Sequence, residues 1–149
     1  MIDRVRALVT PDGAIQPGAR LGPPRPSQEI KDEAFLAACR AKQTAIAAYL
    51  LDAGAGIGVR GSQGMTGLHE AVWRCDHATT RMLIDRGAPL EAKNAYGGTV
   101  LDFVVWVLRH QPGKGRDWCG LVDMLVAAGA DLEAAGGRDA IEAALHQVT

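Results

Sequence analysis

Apolar positions recur along this chain at helical spacing. Leu68, Ala71 and Val72 form one stripe, and Met82, Leu83 and Ile84 supply the next. Leu50 and Leu51, and further on Met124 and Leu125, repeat the second of these clusters. Each such cluster is followed by a glycine (Gly54, Gly87, Gly129) placed where a helix stops in a left-handed cap. Thr66 stands where the helix carrying Leu68 needs an N-cap. The run Phe103 to Leu108 is apolar on both faces. Leu101, Val104, Val105 and Leu108 share one side, and Phe103, Trp106 and Val107 share the other. The pattern predicts short helices in antiparallel pairs, each too small to bury its own apolar face.

Those pairs repeat. LLDAGA (Leu50 to Ala55) and LIDRGA (Leu83 to Ala88) lie 33 residues apart, and LVAAGA (Leu125 to Ala130) follows after 42. GMTGLHEAV (Gly64 to Val72) returns 33 residues later as GGTVLDFVV (Gly97 to Val105). TGLHEAV (Thr66 to Val72) resembles the TPLHxAA signature of the ankyrin repeat, and RGAPLEAKN (Arg86 to Asn94) resembles its GADVNAxD ending. The resemblance implies an all-α, ankyrin-type solenoid of helix-turn-helix units. Its expected units are about 31–63, 64–96 and 97–136, with a nine-residue excess near 110–118 and a closing helix in 137–149. It further implies a structural role for His69, bonding the turn at Thr66 and the neighbouring repeat, with Asp102 as its counterpart one unit on.

Residues 1–30 stand outside the repeat. They hold Pro11, Pro17, Pro23, Pro24 and Pro26. A hairpin turning at TPDG (Thr10 to Gly13) and an extended, polyproline-like stretch from Pro17 to Ser27 are expected. An arm lying on the solenoid and a disordered tail both fit.

Composition narrows the function classes. Lys+Arg 16 against Asp+Glu 17 leaves a formal net charge of -1, which argues against nucleic acid and membrane surfaces as partners. The longest apolar run is far short of the ~20 residues of a membrane span. Three spaced cysteines, Cys39, Cys75 and Cys119, read as reduced thiols in a cytoplasmic setting. The Ala- and Arg-rich composition points to a bacterial source. Catalytic motifs are missing from the chain, and Cys75 with His77 lacks the further ligands a metal needs. No catalytic residue, cofactor or metal is therefore expected, and the chain reads as a non-enzyme.

The informative feature is the inner helix of each unit. In register, Arg40, Trp73, Trp106 and His146 occupy one slot, Ala37, Glu70, Phe103 and Ala143 a second, and Ala41, Arg74 and Val107 a third. A helix apolar all round should be covered all round. Three covers are open for Phe103, Trp106 and Val107: a partner protein, the N-terminal arm, or the insert at 110–118. The expected partner-binding residues are Trp73, Trp106, Arg74, Glu70, Phe103, Arg40 and Arg109 in the groove, with Lys93 and Tyr96 at a turn tip. Trp and Arg are enriched among interface hot spots. The function expected is a protein-protein interaction module, either an immunity protein occluding a toxin or a modulator of a metabolic or biosynthetic enzyme. A small hydrophobic ligand in the groove, or an atypical enzyme built there, is the rival, and the chain is expected as a monomer or weak homodimer.

Overall fold

The computed structural model describes residues 27–148, so the expected hairpin and most of the Pro-rich arm lie outside the described residues. Among the described residues seven α-helices follow one another: α1 (Ser27–Arg40), α2 (Thr44–Asp52), α3 (Gly67–Trp73), α4 (His77–Asp85), α5 (Val100–His110), α6 (Trp118–Ala127) and α7 (Gly137–His146). No strand occurs among the described residues. The first helix starts ahead of Lys31, inside the segment assigned to the arm. Gln28 anchors that extra turn by donating to Asp32 Oδ1 at 2.8 Å and to the Gly54 carbonyl at 3.0 Å.

The helix ends follow the capping chemistry of the repeated sequence. Thr66 Oγ1 accepts from His69 N, and Thr99 Oγ1 accepts from Asp102 N, so α3 and α5 begin in a capping box. Asp76 and Asp117 cap α4 and α6 with one carboxylate bond each, accepting from Thr79 N and Gly120 N. The outer helices stop at Gly54, Gly87 and Gly129, with φ of +99°, +81° and +103°. Only glycine takes that left-handed backbone freely. After each glycine the next amide returns to the helix: Ala55 to Leu50, Ala88 to Leu83 and Ala130 to Leu125.

Helices α1, α3, α5 and α7 stack side by side in one layer, and α2, α4 and α6 form the layer behind. Leu50, Leu68, Leu83, Leu101, Leu121 and Leu125 are fully buried between the layers, each contributing roughly 1.5–3 kcal/mol. Polar pairs hold successive units in register. Arg40 donates to Glu70 at 2.8 Å, Arg86 to Asp52 at 2.6 Å, and the Thr44 and Thr79 hydroxyls meet at 2.7 Å.

The turn tips bind each other as well. Ala95 N donates to the Gln63 carbonyl at 2.8 Å across neighbouring tips. Gly64, at φ +67°, leaves room for that contact, since a Cβ there would come within 2.8 Å of Ala95 N. At the next tip Asn94 Oδ1 accepts from Tyr96 N at 3.0 Å and Gly98 N at 3.1 Å. This asparagine-built turn carries Tyr96 outward.

Candidate interaction cleft

Between the second and third units the inner layer opens into a cleft of about 580 Å³. Its floor and walls are Trp73 from α3, Phe103 and Trp106 from α5, Met65 and Gln63 from one tip, and Asn94, Tyr96 and Gly98 from the next, with Asp102 at its edge. Four of the predicted residues, Trp73, Phe103, Trp106 and Tyr96, therefore converge on one place. Phe103 is the hub. Its ring lies 5.5 Å from Trp73, 6.0 Å from Trp106 at an interplanar angle of 7°, and 5.8 Å from His69. His110 stacks on Trp106 at 4.7 Å and bonds through Nδ1 to the Trp106 carbonyl at 2.8 Å.

The surface is narrower than the periodicity predicts. Phe103 is 7% exposed and Val107 only 1%, while Trp106 keeps 43% and Tyr96 77%. An inner helix in the middle of the stack is covered on three sides, and α5 packs against α3, α6 and α7. Val107 is closed off within that packing, and Phe103 is roofed by its own aromatic neighbours. Phe103 thus supports the cleft from beneath, and Trp106 and Tyr96 present the accessible apolar surface. Trp73 is half-buried.

Arg40 and Glu70, both expected among the partner-binding residues, are engaged with each other. Glu70 is buried and bound to Arg40, a bond that raises the Arg40 pKa. These two brace adjacent units. Arg74, Arg109 and Lys93 are exposed and stand outside the cleft lining.

Apart from His110 on the Trp106 ring, the insert stands away from the cleft lining. Trp118 turns inward to 2% exposure and donates Nε1–H to the Pro112 carbonyl at 2.6 Å, closing the loop on itself. Arg116 donates to the Trp73 carbonyl at 3.3 Å, and His77 Nε2 bonds the Asp117 carbonyl at 2.8 Å. The loop is thereby tied to the turn after α3. The nine extra residues serve to carry the chain around this corner.

His69 performs the role given to it at Thr66. Its Nδ1 accepts from Thr66 N at 3.2 Å and lies 2.9 Å from Thr66 Oγ1. The bond expected to the neighbouring repeat is not made, and Nε2 is buried with no hydrogen-bond partner among the described residues. Burial pushes the His69 pKa below its ordinary value. The Gly98 and Thr99 backbone, near but outside hydrogen-bond geometry, and the Glu70 carboxylate each pull it partly back. Asp102 repeats the arrangement, its Oδ2 accepting from Thr99 N at 2.9 Å and Thr99 Oγ1 at 3.1 Å.

Cys75 Sγ lies 3.7 Å from His77 Nε2, but burial pushes this thiol up, opposite to the activation a nucleophile needs. Among the described residues no group of three or more His, Cys, Asp or Glu is arranged to hold a metal. No helix there is long and apolar enough to cross a membrane.

Tip chemistry was the signal for the lining residues outside the main selection. Gln63, Met65 and Asn94 lie on the turns flanking the repeat, where the sequence already places tip residues. Asp102, the counterpart of His69, also reaches the cleft edge. Residues 63–95 match the family model described as Ankyrin repeat. No curated protein matches the chain.

Proposed function

The chain is an ankyrin-repeat protein, a class that serves generally in protein-protein interaction, and we propose that it binds one partner protein through the cleft between its second and third units. The observation that supports this reading is the exposed aromatic edge of Trp106 beside Tyr96, over a cleft of about 580 Å³. A hydrophobic patch rimmed by polar residues marks an interaction site more often than a random feature of a monomer surface. Phe103 and the tip hydrogen bonds fix the surface in advance, which lowers the ordering cost of binding.

The action proposed is occlusion. A toxin neutralised by this chain is the first partner class, and a metabolic or biosynthetic enzyme held in check is the second. Both rest on analogy at the level of fold. Co-expression with the product of the neighbouring gene separates them. Complex formation with rescue from toxicity supports the first, and complex formation with altered enzyme output supports the second.

The cleft volume also falls in the range of about 300–1,000 Å³ typical of small-ligand sites, which favours a small hydrophobic ligand as the second reading. Tyr96, at 77% exposure, leaves one wall open, so such a ligand would stay partly in water.

The test is affinity capture from the native host with the full chain and with Tyr96→Ala plus Trp106→Ala. Trp73 is left intact because it is half-buried against Phe103, whereas Trp106 keeps 43% of its surface exposed. Loss of the captured partner by a variant that still unfolds cooperatively supports the cleft. Undiminished capture refutes it.

A further inference from the structure

We propose that the cleft takes an acidic peptide segment carrying one aromatic or large aliphatic side chain. This rests on the docking reading above and adds the charge class of the partner.

The inner helices stack side by side, and their C-terminal ends lie along one margin of the groove. That margin is basic. Lys42 follows α1, Arg74 caps α3, Arg109 is in the last turn of α5, and Lys114 is in the loop beyond. All four are exposed. None has a carboxylate within ion-pair range among the described residues. The acids nearest the cleft are engaged, Glu70 with Arg40 and Asp102 with Thr99, and the one exposed carboxylate in the loop of Lys114, Asp117, caps α6 through Gly120 N and is outnumbered by the cations of the margin. The chain as a whole carries -1, so the excess positive charge here is balanced elsewhere. Exposed Asp85, Glu91, Asp123, Asp131, Glu133 and Glu142 lie on α4, α6, α7 and their connections. A positive margin beside an apolar cleft selects a negative partner and speeds its encounter.

Charge also weighs against the chain's own N-terminal segment as occupant. Residues 1–26 hold Arg4, Arg6, Arg20 and Arg25 against Asp3 and Asp12, and would meet the margin with like charge. Single-stranded nucleic acid is anionic too, but binds such surfaces by stacking bases on open aromatic faces. Trp106 has Phe103 stacked from the preceding turn and His110 from the following one. What it offers is an edge, with an indole N–H that makes no hydrogen bond among the described residues. An edge of that kind suits an apolar side chain and a carboxylate or carbonyl acceptor.

The test is selection of random peptides of about twelve residues displayed on phage against the full chain. Selected peptides are then measured as labelled synthetic probes by fluorescence polarisation. The proposal expects net-negative sequences with a single aromatic or large aliphatic residue. It expects affinity to fall roughly tenfold or more between about 50 mM and about 300 mM salt. The charge-reversed variant Arg74→Glu plus Arg109→Glu should weaken binding by a similar factor while still unfolding cooperatively, its melting temperature lowered only by the loss of two helix-end cations. Trp106→Ala should abolish it. Neutral or basic sequences that still need Trp106 would overturn the charge class and leave the docking reading standing. Sequences indifferent to Trp106, or no selection at all, would overturn both. Tighter, Trp106-dependent binding of an oligothymidine probe would overturn the peptide in favour of nucleic acid.

Discussion

Single side chains here are mostly committed to holding backbone, and two of them give direct tests. Cys39 is fully buried, and burial, with smaller contributions from Glu70 and Asp76, pushes its thiol pKa up to about 12, whereas Cys119 is exposed. Thiolate is the reactive form, so iodoacetamide should label Cys119 first and Cys39 only on unfolding. Mass spectrometry of the native and urea-treated protein checks this. His69 sets a pH dependence. Its folded pKa is depressed from 6.5, so the unfolded chain binds the extra proton more readily. The stabilisation is complete above 6.5 and is lost as pH falls from there toward the depressed folded value. Thermal melts across that interval should fall more steeply for the wild type than for His69→Gln, which keeps the capping box without the titrating ring. Thr66 was legible as an N-cap from its position, and the roles of His69 and Asp102 from the resemblance to the repeat signature, which places the two residues at the same offset from their threonines. That Glu70 is consumed by Arg40 was not legible, because slot alignment does not say which way two neighbouring side chains turn.

At the scale of one helix, α5 shows where periodicity succeeds and where it misleads. An apolar surface all round correctly marks a helix needing cover on every side. The count of available covers went wrong, because α7 and the aromatic neighbours of Phe103 close most of the second face. Trp106 and Phe103, three residues apart on one face, should therefore behave differently. Phe103→Ala should cost about 3–5 kcal/mol in urea unfolding, as a buried aromatic does. Trp106→Ala should cost about 1–2 kcal/mol, since nearly half its surface is already wet. Equal losses would mean that Trp106 is a core residue. The insert preceding α6 shows a second limit of sequence reading. Its length was visible, but the tie of Asp117 and Arg116 to the turn after α3 depends on hydrogen bonds between positions about 40 apart.

Across the whole molecule the 33-residue period carried the fold, because each unit contacts only its neighbours and one template can be copied forward. The three outer-helix glycines and two threonine caps repeat at the same places for that reason. The cleft was only half legible. Its aromatic members came from the inner-helix register, while its other wall comes from two turn tips joined by Ala95 and Gln63 and shaped by Asn94. Cutting the tip-to-tip contact is a test at this scale. Gly64→Ala places a Cβ against Ala95 N and forces a left-handed alanine, so the melting temperature should drop, and the Tyr96 side of the cleft should show faster amide exchange. The most direct measurement is acrylamide quenching of single-tryptophan versions of the full chain. With Trp73 and Trp118 replaced by Phe, the remaining Trp106 should be readily quenched. With Trp118 as the sole indole, quenching should be strongly suppressed. If Trp106 proves as shielded as Trp118, the chain covers its own cleft and no open docking surface exists.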